Sequence, residues 1–223
     1  MPSESNLPRL YYYSAMRQWI ALLQKDERKL FRTLNTPQKI QDYLDTLPIN
    51  FERNGETYMS PRRVIKAGIA HCFEGALFAA AALWFHGQRP LILDLRTVPY
   101  DEDHVVALFQ TGGLWGAISK TNHAILRYRD PIYKTVRELA ISYFHEYMLE
   151  NRKKTLREYS KPFNLSRYSP AKWITAEEEL HWLVEALDTS PHFPIVPSSA
   201  LRKLRLISKP EAKILEITEW PRD

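Results

Sequence analysis

The chain has 223 residues, 44% of them hydrophobic and 26% charged. That balance excludes wholesale disorder, collagen and coiled-coil rods, and leaves enough residues to bury a core. The formal charge of +5 is mildly basic, and one cysteine, Cys72, excludes an intrachain disulfide and any site built from several thiolates.

In chain order, the first fifty residues read as helical. Ala15, Trp19, Leu22 and Leu23 recur at helical spacing, and Thr36-Pro37 is a capping residue followed by proline at the first helical position. The opening MPSESNLPRL lacks the apolar core of a signal peptide. Ser60-Pro61 repeats the start signal before a short helix over 61–66. A second helix is expected from Cys72 to His86, closed by Gly87, with an apolar stripe of Phe73, Ala76, Leu77, Ala80, Leu83 and Trp84. Its apolar run over 75–85 is too short to span a bilayer. A cytoplasmic protein with no membrane contact is the default expectation.

The pattern then changes to strands at 90–96, 104–109 and 114–118, with a further strand at 123–128. Gln-Thr-Gly-Gly between the second and third reads as a four-residue hairpin loop. In that register His104 faces Ser119; if Gly112-Gly113 alone turn the chain, it faces Thr121. Helical spacing returns beyond Pro131 in Val136, Leu139, Ala140, Tyr143, Phe144 and Tyr147. Thr175 with Glu178 reads as a capping box opening a last amphipathic helix through Leu180, Leu183, Val184 and Leu187. The tail, 201–217, adds an edge strand. Helices, a central antiparallel sheet and helices again predict an α+β class with helices packed on a small antiparallel sheet. No repeat or flexible linker divides the chain, so one domain is expected over 1–223. Within it, 60–130 forms the core and 131–223 a helical extension.

Cys72 opens the most apolar helix, where unpaired N–H groups and the helix dipole favour a thiolate. His71 is its neighbour in sequence and points elsewhere, a poor base for it. His104, opening a strand that packs on the helix, is better placed to activate the sulfur. Ser119, Thr121 or Asn122 then lies near the imidazole, and Asn122 or Ser119 can accept from the ring N–H. The backbone N–H of Cys72 supplies part of an oxyanion hole. His86, His123 and His145 read as structural, and no metal-ligand spacing or cofactor motif is present.

The ordered segments CFEGALFAAAAL…Gly87, Asp103-His104-VVALF and Gly113-Leu-Trp115-GAI-Ser119 resemble the core of the transglutaminase-like superfamily, over residues 60–130. The resemblance implies a papain-like fold and thiol acyl transfer on amides: peptide or isopeptide hydrolysis, deamidation or transamidation. It makes Cys72 the nucleophile and His104 the general base, with Trp115 walling a substrate tunnel. Glu74 and His71 join Trp115 on the substrate side. Two positions depart from the family: Ala70 stands where a glycine usually precedes the cysteine, and Ser119 stands where an acidic residue is expected. The segments RYRDPIY and ISYFHEY resemble bacterial members of the superfamily and carry no assigned activity. A peptide or protein amide is the expected substrate, with no cofactor and no metal. A catalytically inactive binding module for a protein or nucleic-acid partner is the alternative.

Charge is uneven along the chain. Residues 151–173 carry seven Lys and Arg against Glu158 alone, a net +6, and 201–213 carry a net +4. These two stretches are candidates for docking an acidic partner, with nucleic acid the less favoured reading. The rest of the chain is acidic.

Overall fold

The computed structural model describes residues 19–221; Ala15 and the opening MPSESNLPRL lie outside them. Helix α1 covers Lys25–Thr33 and α2 Pro37–Thr46, where Thr36 accepts from the Lys39 N–H and Pro37 takes the first helical position. Ser60 caps Arg63 in the same way at the start of α3, Pro61–Ala67, and Gly68 ends it at φ 67°. Trp19 and Leu23 are buried, whereas Leu22 is 46% exposed, so one position of the expected N-terminal stripe faces outward.

Helix α4, Cys72–Phe85, departs more from its expectation. Every residue from Phe73 to Trp84 is buried, so it has no polar face and no stripe. A helix apolar all round is stable only when surrounded. Here the sheet, α1, α2, α3 and the chain around Trp173 supply that enclosure. The four alanines 79–82 let these neighbours approach closely, and Trp84 stacks on Trp173 with ring centroids 6.1 Å apart.

Seven antiparallel strands form one open sheet against α4. They are β1 (Leu91–Arg96), β2 (His104–Thr111), β3 (Leu114–Ile118), β4 (Arg129–Tyr133), β5 (Glu158–Ser160), β6 (Phe163–Asn164) and β7 (His192–Pro194). Their order is β4-β3-β2-β1-β5-β7, with β6 also paired to β1. Gly112 and Gly113, at φ 61° and 82°, make a two-residue turn. Thr111 pairs with Leu114 and Ala107 with Ile118. Gln110 and Thr111 thus belong to the strand, because two successive left-handed residues match the strand twist and a four-residue loop is not needed. Val105, Ala107 and Phe109 pack toward α4, while Val106 and Leu108 join a second core under α5, Val136–Ser142.

The C-terminal half is not simply helical, since β5, β6 and β7 extend the sheet from it. Residues 123–128 form no strand. Leu126 adopts φ 61° and Asn122 is held by Trp220, so the chain bends there and pairs only from Arg129 onward. Thr175 opens no helix. After α6, Pro170–Trp173, residues 175–180 are tied down by Glu179, which accepts from Tyr58 N and Arg63. Helix α7 begins only at His181 and runs to Asp188. The tail forms short helical turns over 209–216 and a single bridge, His123 to Thr218, in place of an edge strand. Among the described residues no helix is long and apolar enough to cross a membrane.

Candidate active site

Cys72 is the first residue of α4, partly buried and free of any disulfide. Burial alone would penalise a charged sulfur. Hydrogen bonds from the His104 and His71 rings, and their charges, outweigh it and hold the thiol at about 5, well below its ordinary 9.0.

His104 opens β2 opposite Leu95 of β1 and is 5% exposed. Its Nε2 lies 2.7 Å from Ser119 Oγ, whose single proton goes to Leu126 O at 2.5 Å. A hydroxyl that donates to a carbonyl must accept from the ring. The network therefore assigns the proton to Nε2 and leaves Nδ1 for the sulfur. The hairpin register places Thr121, not Ser119, opposite His104, but β3 ends at Ile118. From there the chain leaves the ladder and brings Ser119 diagonally onto the ring.

Behind Ser119 the positioning continues. The Leu126 N–H donates to Glu146 Oε2 at 2.7 Å, and Arg129 Nη2 holds Glu146 Oε1 at 2.6 Å while its guanidinium lies 4.0 Å over the Tyr143 ring. A carboxylate thus stands behind the histidine through one backbone unit and one hydroxyl. Arg129 and Glu146 come from the RYRDPIY and ISYFHEY segments, which had no assigned role.

His71 sits closer to the chemistry than its sequence position suggests. As the helix cap it has extended backbone, φ −96° and ψ −173°, and this turns its ring onto the neighbouring thiol. Nε2 donates to Thr57 O at 2.8 Å. Burial opposes its charge, but the thiol and Glu74 bring the ring up to about 9. The sulfur is flanked by two imidazoles.

Three other expected site residues lie elsewhere. Glu74 is fully buried and accepts from Asn50 Nδ2, Thr57 Oγ1, Met59 N and His71 N, so it fastens the loop before α4 and does not face the cleft. Asn122 turns both ends of its amide to the Trp220 backbone, at 2.8 and 3.0 Å; its place beside the ring belongs to Ser119. Trp115 packs with Tyr133 on the sheet face away from α4, because strand alternation sends it opposite to Gly116. It walls no part of the cleft.

The thiol opens into a cleft of about 500 Å³. Tyr58, Phe73, Val184 and Leu187 form its apolar wall, and Asp94, Asp101, Glu102, Asp103 and Asp188, with Arg96, its charged one. Asp94 is 1% exposed and bonds His192 Nε2 at 2.9 Å, while His192 Nδ1 meets Ser190 O at 2.7 Å. Two acceptors require two N–H groups, so His192 is an imidazolium. Burial disfavours that charge but Asp94 more than compensates, raising its pKa. Burial pushes Asp103 and Asp188 up, and the Asp94 charge adds to both shifts. Sequence reasoning missed these acids. Asp94 was findable as the one anion inside the apolar strand LILDLR, where a buried charge demands a partner. The run Asp101-Glu-Asp103 before His104 was the other signal.

The two basic stretches meet each other, through Lys154 Nζ to Arg205 O at 2.8 Å and Ile207 N to Arg152 O at 3.0 Å. None of their residues lines the cleft. No protein-family model matches this chain, and no curated protein matches it.

Proposed function

We propose that the chain is a cysteine enzyme of transglutaminase-like type that acts on amide bonds by acyl transfer. The observation that carries this reading is the fixed imidazole at the thiol: His104 lowers the Cys72 pKa, and its Nε2 is held by Ser119, which is committed to Leu126. That arrangement matches a nucleophile, a base and an orienting group.

In the reaction, the Cys72 thiolate attacks the amide carbonyl carbon and the oxygen takes the electron pair. The Cys72 N–H at the start of α4 stabilises that oxygen. The C–N bond then breaks, His104 gives its proton to the departing amine, and a thioester remains. Water or an amine attacks the thioester, His104 accepts the incoming proton, and the thiolate leaves. His71, charged beside the sulfur, favours the thiolate without taking part in either proton transfer.

Iodoacetamide modification of Cys72 against pH tests the pair. Rapid reaction of the folded protein near pH 6, lost in His104→Ala, supports it. Modification only after denaturation overturns it. One observation favours the second reading, a catalytically inactive binding module: the group on Nε2 is a serine hydroxyl where the superfamily expects an acidic residue. A working thiolate would count against that reading. An acidic protein docking on the joined basic stretches is compatible with either.

A further inference from the structure

We propose that the cleft beside Cys72 selects its substrate by positive charge, seating a Lys- or Arg-like group, aliphatic stem and cationic tip, next to the amide under attack. The identity of the attacked bond rests on the reading above; the charge selection does not.

The cleft is anionic in a chain whose net charge is +5. Five carboxylates line it; Arg96 and the two imidazoliums, His71 in the lining and His192 on Asp94, offset three of them and leave the cleft net negative. Arg96 is already engaged, with Nη2 on Asp188 O at 2.6 Å and Nη1 3.5 Å from Glu158. The acids are placed by structure: Asp103 Oδ1 accepts from Thr97 N at 2.7 Å and from Thr97 Oγ1 at 3.0 Å. That folds the 97–103 loop over the cleft immediately before His104. A low-dielectric wall beside such a cluster focuses its field on anything entering.

One orphaned group in the lining points to a missing ligand. Asp101 Oδ2 is buried with no hydrogen-bond partner. Buried polar atoms are rarely left unpaired. A donor-rich cation would satisfy that carboxylate oxygen. Tyr58, Phe73 and Leu187 supply the apolar surface that a long cationic side chain lays its stem on.

The test uses two methanethiosulfonate reagents of similar size, one carrying trimethylammonium and one sulfonate. Each is attacked by the Cys72 thiolate at sulfur, forming a mixed disulfide and releasing methanesulfinate. The cationic reagent is expected to react about tenfold faster or more at low ionic strength. Its advantage should shrink at about 0.5 M salt and in Glu102→Gln/Asp188→Asn. A rate ratio near one, or one unchanged in the double variant, overturns the proposal. An arginine dipeptide amide should slow iodoacetamide modification while its glutamate counterpart does not; equal protection also overturns it. The pH profile with neutral iodoacetamide is read separately, so loss of the thiolate and loss of charge selection are distinguishable.

Discussion

Beside the Cys72 thiol the charged groups His71, His104 and Asp94 are wholly or largely enclosed and set against one another, whereas along 151–173 and 201–213 most of the basic side chains stand in water. Asp94 is 1% exposed and locked to His192, and the thiol falls to about 5 because two imidazoles adjoin it. Lys153, Arg202, Lys203 and Arg205 are exposed side chains on connecting segments, where salt screens them over about 8 Å. The difference teaches where charge alters chemistry. The basic stretches hold all of the chain's excess positive charge and more, yet the few enclosed groups beside the thiol set its reactivity.

The sharpest way to break that contrast is at the ring. His104→Ala should slow Cys72 modification at pH 6 by about a hundredfold or more. In the wild type the rate rises as pH climbs through about 5, because the thiol ionises there. In the variant that midpoint should move toward 9, and His71→Gln should move it in the same direction. Neutral iodoacetamide measured across pH 4–10 reads both.

Ser119→Ala comes next. It leaves the buried Nε2–H of His104 and the Leu126 carbonyl without partners, at a cost of about 1–3 kcal/mol, and should slow modification about tenfold by freeing the ring. Glu146→Gln should shift the same profile less, since it acts through Leu126. Asn122→Ala should lower thermal stability with little change in the profile, because its amide serves Trp220. An equal effect of Ser119→Ala and Asn122→Ala would remove the distinction between them.

Gly116→Ala tests the sheet that carries the site. A Cβ there would strike the Phe109 ring and Arg129 O, and overpacking of this kind costs about 1–3 kcal/mol; denaturant melts measure it. The smallest effect belongs to the basic stretches. Lys153→Glu with Lys203→Glu should leave stability within about 0.5 kcal/mol and the Cys72 rate within about twofold, while weakening capture of a polyanion. A large change at Cys72 would mean that the two regions are coupled.

Much of the frame was legible because it rests on local signals. Thr36-Pro37 and Ser60-Pro61 are caps whose hydrogen bonds need only three residues, and Gly87 ends α4 at φ 84°. Short β-like apolar runs bounded by turn residues located β1, β2 and β3. What was misread depended on distant partners: residues 123–128 bend because Trp220 and Glu146 hold them, and Thr175 caps nothing because Glu179 ties that segment to Tyr58 and Arg63. The short strands β5, β6 and β7 carry too few residues for a periodic signal and exist only by pairing onto the sheet.

The sequence by itself determined the thiol at a helix start, the histidine at a strand start and the α+β class, since these follow from spacing, capping and short β-like runs along the chain. Only the tertiary structure decided which side chains gather there. It turned His71 onto the sulfur, selected Ser119 over Asn122 at the ring, removed Trp115 and Glu74 from the cleft, and lined the cleft with acids from β1, the 97–103 loop and α7. The physical reason is that a pKa and a hydrogen-bond partner depend on distance in space, and in this fold the groups that set them lie up to a hundred residues apart in the chain.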